Sequence, residues 1–230
     1  METIYTIPIN EVFEENRNAE TAACPLCLLK RRLEANELDL ILGASMMEPD
    51  TRIKTNKEGF CRKHYGKMLT MKNRLGLALM LESHLDEVKK GISDGLLPFK
   101  KGASAVAYME ALGKSCYVCG RVEGHFTRMC ENLAAMYGAD GEFRKKLTAQ
   151  PFFCLPHLEA MASAAKKVLS GKQYTAFWED AAGVSRGYLE SLREDVSWFC
   201  KKFDYRYENE PWYNAKDSIE RAAAFLEGTD

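Results

Sequence analysis

The sequence predicts an all-α fold built from two repeated helical units packed together, followed by a closing helix. Three observations carry this: apolar residues recur at spacings of three and four, strand-like alternation is scarce, and two cysteine-containing motifs occur twice in the same order. Leu26, Leu29, Leu33 and Leu40 are expected along one helix face, and Ala78, Leu81, Leu85 and Val88 along a second. Phe177, Ala181, Val184, Tyr188, Leu192, Val196, Phe199 and Phe203 continue a single stripe through a longer helix. Only Ile4 to Ile9 alternates in the manner of a strand.

Cys24 and Cys27 recur 92 positions on as Cys116 and Cys119, while Phe60, Cys61 and His64 recur 93 positions on as Phe153, Cys154 and His157. Two motifs keeping nearly one offset point to duplication of a unit of about 90 residues. The expected divisions are a first helical metal-binding repeat over 1–92, a second over 103–205, and a loop and helix over 206–230 packed on both. Between the repeats, Gly91 to Gly102 holds three glycines and Pro98 and reads as the linker. It is too short for a disordered tether, so the repeats are expected to pack together about a pseudo-two-fold axis. Arg206 to Pro211 reads as a loop and Asn214 to Leu226 as the closing helix.

A chain of 230 residues, 46% hydrophobic, has the material for a buried core. Its 32 basic and 33 acidic residues leave a formal charge of -1, which offers no global attraction to nucleic acid or an anionic membrane. The first twenty residues lack a secretory signal's apolar core, and no run approaches the roughly 18 apolar residues of a membrane span. The expected location is the cytoplasm. Eight cysteines in that reducing compartment point to metal ligation or redox chemistry before disulfides.

Each motif sets two ligand-type side chains three apart, hence on one helix face. Pro25 after Cys24, and Pro156 between Cys154 and His157, suit the first turn of a helix, whose N–H groups lack intrahelical acceptors. Each pair is therefore expected to open a helix, with its first residue near the N-cap and its second near N3. The partial positive charge there favours thiolate.

Two such starts supply three thiolates and one imidazole, a closed tetrahedral set for a structural zinc, two per chain. An iron–sulfur cluster is the alternative. Pairing within each repeat closes the shorter loop and is the default: Cys24, Cys27, Cys61 and His64 as one site, Cys116, Cys119, Cys154 and His157 as the other. A swapped arrangement, Cys24 and Cys27 meeting Cys154 and His157, is compatible with the same spacing. A thioredoxin-like use of Cys24-Pro25-Leu26-Cys27 would want a preceding strand, and Asn16 to Ala23 does not resemble one.

The unmatched Cys130 and Cys200 read as core residues, and His84 and His125 as surface or capping histidines. The aromatic and charged run Lys201 to Tyr213 is expected to pack on the bundle, with Asp204 and Arg206 paired. No phosphate loop, nucleophile elbow or HExxH motif is present, so no catalytic residues are assigned.

CPLC at 24–27, GFCRKH at 59–64, FCLPH at 153–157 and KKFDYR at 201–206 together resemble a bacterial family of uncharacterised proteins, found largely in anaerobic Firmicutes. The second repeat reads CYVCG where the first has CPLC, so the ligands are shared but the proline is not. The resemblance implies a bacterial cytoplasmic protein without an assigned activity. Together with the closed ligand sets, it leads to the expectation of a non-catalytic, zinc-stabilised protein acting through an unidentified protein partner. A redox- or metal-responsive protein whose sites hold iron–sulfur or labile zinc is the rival reading.

Overall fold

The computed structural model describes residues 3–19, 21–93 and 102–229. These residues form α-helices and 3-10 turns without a strand: α1 (Thr3–Arg17), α2 (Pro25–Leu42), α3 (Pro49–Glu58), α4 (Arg62–Thr70), α5 (Arg74–Ile92), α6 (Ala103–Gly113), α7 (Tyr117–Ala139), α8 (Gly141–Thr148), α9 (Leu155–Val168), α10 (Gly171–Lys201) and α11 (Ser218–Glu227). No helix among them is long and apolar enough to cross a membrane. The chain divides into two compact units that do not follow the sequence repeats. One comprises Met1–Arg31 with Phe126–Asp230, and the other is the contiguous segment Arg32–His125.

In the discontinuous unit, α10 packs against α8, α9 and α11, α1 packs on α8, and α11 also meets α9. The strand-like pattern at Ile4 to Ile9 is overturned, because this segment lies in α1. Tyr5, Ile9, Val12, Phe13 and Asn16 are buried at helical spacing, while Ile4 and Ile7 face outward. Burying the helical stripe outweighs the alternation of two isoleucines, since each fully buried large apolar side chain contributes about 1.5–3 kcal/mol. Phe13 anchors the helix, with its ring 5.4 Å from Phe143 and 6.3 Å from Phe153. Ser170 and Gln173 form a capping box at the start of α10.

The predicted α10 stripe is buried at Phe177, Ala181 and Leu192, but Phe203 lies beyond the helix and is 78% exposed. Past the helix, Lys202 Nζ donates to the carbonyls of Tyr207, Glu208 and Glu210, and Trp198 Nε1 donates to that of Pro211. Asp204 and Arg206 pair as expected. The closing helix starts at Ser218, four residues after the predicted Asn214.

In the contiguous unit, α3, α4 and α6 pack on α5. Its core joins Leu38, Ile41 and Leu42 of α2, Phe60, Met68 of α4, Leu77 and Met80 of α5, and Tyr117, Val118 and Val122 of α7. The two predicted faces hold in part: Leu26 and Leu29 are buried, and Leu33 and Leu81 pack against the core. Leu40 is exposed, and the inward face of α2 runs through Glu34, Glu37, Leu38 and Ile41. On α5, Ala78 and Leu85 face out, Leu85 being 62% exposed, whereas Leu77, Met80 and His84 face in. The helix is apolar on several sides, so the neighbouring helices select which residues are covered. Of the predicted linker, Gly91 belongs to α5 and Gly102 caps α6 with φ 83°, while Pro98 falls outside the described residues.

Candidate metal centres

All four motifs open helices. Cys24, Cys61, Cys116 and Cys154 each stand immediately before α2, α4, α7 and α9. Their carbonyls accept the first helical hydrogen bonds, from Leu28, Tyr65, Gly120 and Leu158 at 3.3, 3.0, 3.0 and 2.8 Å. The extended backbone of Cys61 and Cys154 (ψ 164° and 158°) is that of an N-cap. Cys27, His64, Cys119 and His157 follow at N3, on the same face as the capping sulfur.

The half-sites meet crosswise. Cys24 and Cys27 gather with Cys154 and His157, and Cys61 and His64 gather with Cys116 and Cys119, with the ligand-type atoms of each set lying within 4.8 Å of one another. The default of pairing within a repeat is thereby corrected. Its weakness is one of magnitude: doubling a loop costs only about 0.6 kcal/mol, so burial of a single leucine or phenylalanine outweighs the longer closure. Each repeat donates one half-site to each centre.

In the first centre, Cys27 Sγ lies 3.7 Å from Cys154 Sγ, and His157 Nδ1 lies 3.3, 3.2 and 3.7 Å from the sulfurs of Cys27, Cys154 and Cys24. In the second, Cys61 Sγ lies 3.8 Å from Cys119 Sγ, and His64 Nδ1 lies 3.2, 3.2 and 3.4 Å from the sulfurs of Cys61, Cys116 and Cys119. A tetrahedral ion with bonds of about 2.3 Å to sulfur and about 2.0 Å to nitrogen would have S–S edges of about 3.8 Å and S–N edges of about 3.5 Å. The Cys27–Cys154 and Cys61–Cys119 separations match, and the sulfur–nitrogen ones fall within a few tenths of an ångström. Both clusters could hold a metal ion.

Polar residues outside the motifs align these half-sites. In the first centre, buried Asn16 Nδ2 donates to the carbonyl of Ala23, next to Cys24, and to Gln150 Oε1 at 2.9 Å. Gln150 Nε2 in turn donates to the carbonyls of Phe13 and Lys146. The approaches to Cys24 and Cys154 are thus joined through two amides. In the second centre, Tyr117 N–H donates to the carbonyl of Gly59 at 3.0 Å and Ser115 Oγ to that of Glu58 at 2.7 Å. Gly59 adopts φ 59°, and a Cβ there would lie 3.0 Å from His84 Nε2 and 3.2 Å from Leu112 Cδ1, so glycine satisfies both conformation and space.

His64 Nε2 donates to Glu34 Oε1 at 2.8 Å, which leaves Nδ1 directed at the thiols. Lys63 and Lys67 hold the same carboxylate. Burial works to raise the Glu34 pKa, but the Lys67 hydrogen bond and the Lys63 charge outweigh it, and the group stays below its usual range. Burial also lowers the His64 pKa, which favours the neutral imidazole that a metal requires. Glu34 was missed in the sequence, although it stands seven residues from Cys27 and seven from Ile41, on the inward phase of α2.

The thiols oppose one another. Hydrogen bonds from Cys154 and Cys24 pull Cys27 far below the ordinary thiol value, helped by His157 and the Thr229 N–H. Burial, with the neighbouring Cys154 and Cys27, raises Cys24. At Cys154 the bond with Cys24 acts downward but is outweighed by Cys27 and burial, leaving it at about 11. In the second centre, burial of Cys61 is outweighed by the His64 N–H and the other thiols, and its pKa falls. Burial together with Cys116 and Cys61 pushes Cys119 up to about 12. Three thiols so close resist joint ionisation unless a cation compensates them.

Among the unmatched residues, Cys130 is buried as expected, but Cys200 is exposed and is not a core residue. His84 is buried, and its Nδ1–H caps α3 by donating to the carbonyl of Asn56 at 2.9 Å. His125 is partly buried.

Fold and clusters define a class: an all-helical protein carrying two Cys3His sets able to take metal ions. The chain belongs to the family of unknown function DUF6062, whose model matches residues 1–230. No curated protein and no solved structure matches it significantly.

Proposed function

We propose that this is a bacterial cytoplasmic, non-catalytic helical protein in which each Cys3His set holds one zinc ion, and that it acts by binding a protein partner. The carrying observation is the crosswise convergence of four helix starts into two sets with the edges of a single-ion tetrahedron. Zinc suits this donor set and needs no redox change. A multi-iron cluster would distribute these sulfurs over several irons and spread them beyond single-tetrahedron edges. Each ion would clamp a half-site from one repeat to a half-site from the other.

Four protein ligands complete a tetrahedron and leave no position for a substrate or hydrolytic water, which supports a structural role over catalysis. Anaerobic purification followed by elemental analysis and absorption spectroscopy tests this. Two zinc per chain without visible absorption is expected, whereas iron with sulfide and a brown colour would establish the rival redox- or metal-responsive reading. A partner is tested by isolating the native protein from its source cells at low salt. Elution as part of a hetero-assembly, lost on metal removal, is expected.

A further inference from the structure

The two centres share a ligand set but not an environment. All four residues of the first are buried, whereas in the second Cys119 is exposed and Cys61 and Cys116 are half-buried. The first is also covered by Gly228 and Thr229. Thr229 N–H donates to Cys27 Sγ at 3.3 Å, and a Cβ on Gly228 would lie 3.6 Å from the sulfurs of both Cys27 and Cys154. Gly228 has φ 80° and brings the chain over the sulfurs after α11, itself packed on α9 and α10.

The residues between ligands differ as well. Pro25, Leu26, Leu155 and Pro156 are apolar in the first centre, whereas Arg62 and Lys63 lie between Cys61 and His64 in the second. The second centre therefore combines an exposed sulfur with the nearby positive charge of Arg62, Lys63 being paired with Glu34, and this charge attracts an anionic ligand.

Resting on the zinc reading above, we propose that the centres divide their roles: the first retains its ion beneath Gly228 and Thr229, and the second exchanges its ion with thiolate-bearing acceptors. An incoming thiolate forms a sulfur–zinc bond as the bond to Cys119 Sγ breaks. One anionic sulfur replaces another, no electrons are transferred, and the released Cys119 thiolate takes a proton from water. Continued exchange at Cys61 and Cys116, with His64 Nδ1 leaving as a neutral imidazole, would carry the ion to the acceptor. The same attack at the first centre requires the Gly228–Thr229 cover and the surrounding helices to open first.

The test uses the zinc-loaded 230-residue chain, mixed with a dithiol chelator; samples withdrawn over time are quenched with excess N-ethylmaleimide, which labels the cysteines released by then, and are mapped by mass spectrometry. Zinc should leave in two phases of equal amplitude with rates differing by about tenfold or more, a ratio that needs a barrier difference of only about 1.4 kcal/mol. Cys61, Cys116 and Cys119 should be labelled with the first phase, and Cys24, Cys27 and Cys154 with the second. Deleting residues 228–230 should accelerate the second phase alone. Simultaneous labelling of both sets, or earlier labelling of the first centre, overturns the division of roles while leaving the zinc reading intact. An unchanged second phase after the deletion overturns the covering role of the tail. Fewer than two bound zinc ions at the outset would instead sink the underlying reading, and the exchange proposal with it.

Discussion

Replacing Glu34 should weaken the second centre and leave the first as an internal control. The Glu34 carboxylate is 8% exposed and accepts from His64 Nε2 at 2.8 Å. It fixes the ring orientation that directs Nδ1 toward three sulfurs. Loss of such a partner typically lowers metal affinity about 10–100-fold, equivalent to about 1.4–2.7 kcal/mol. Glu34→Gln retains an acceptor oxygen without its charge and should fall near the lower end, with Glu34→Ala near the upper.

Lys63 and Lys67 lose a counter-ion in either variant, but their side chains are 41% and 40% exposed, so water compensates much of that loss. Competition titration with a chromogenic chelator, supported by cobalt(II) spectra to separate the sites, measures the effect. Unchanged affinity at the second centre in Glu34→Ala, or equal weakening of both centres, would refute the positioning argument. The pH dependence has a defined sign: the folded carboxyl pKa is depressed, so its stabilisation is present above about pH 4.3 and disappears as pH falls through the folded value.

Asn16→Ala or Gln150→Ala breaks the buried amide bridge between the approaches to the first centre and should cost about 2–4 kcal/mol through lost hydrogen bonds and stranded carbonyls. Urea unfolding of the zinc-loaded protein measures this, and a loss under about 0.5 kcal/mol, within the range of ordinary surface substitutions, would contradict the assigned role. Gly59→Ala forces a side chain into the left-handed region and against His84, so a penalty of about 1–3 kcal/mol is expected in the same assay. Met80→Ala should destabilise by about 2–5 kcal/mol, whereas Leu85→Ala on the outward face of α5 should change stability by about 0.5 kcal/mol or less. Equal costs would reverse the assigned face. Acidification should release zinc because protons compete for the thiolates, and zinc retained unchanged at a pH where the cysteines are fully protonated would argue against sulfur ligation.

The local grammar of the sites was legible without coordinates. Proline in the first turn, paired ligands three apart and helical spacing of apolar residues identify helix starts, because these signals depend on neighbouring residues along one chain. The same reasoning placed Leu40, Ala78 and Leu85 inward, where the structure exposes them, although Leu26 and Leu29 are buried and Leu33 and Leu81 pack against the core as expected. The sequences of α2 and α5 contain more apolar residues than one face can bury, so only the surrounding helices distinguish Leu77 and Met80 from Leu85.

The sequence by itself determined that eight residues form four helix-initiating half-sites, since N-cap and N3 positions follow from spacing and backbone hydrogen bonding. Tertiary structure decided which half-sites meet. Loop entropy varies only logarithmically with separation, so it gave a weak preference for the nearer motif, and packing of helices distant in sequence set the crosswise arrangement. That packing also placed Glu34 beside His64, joined Asn16 to Gln150 and laid Thr229 over Cys27. None of these contacts has a local signature, because each is made between segments whose proximity exists only after the chain folds.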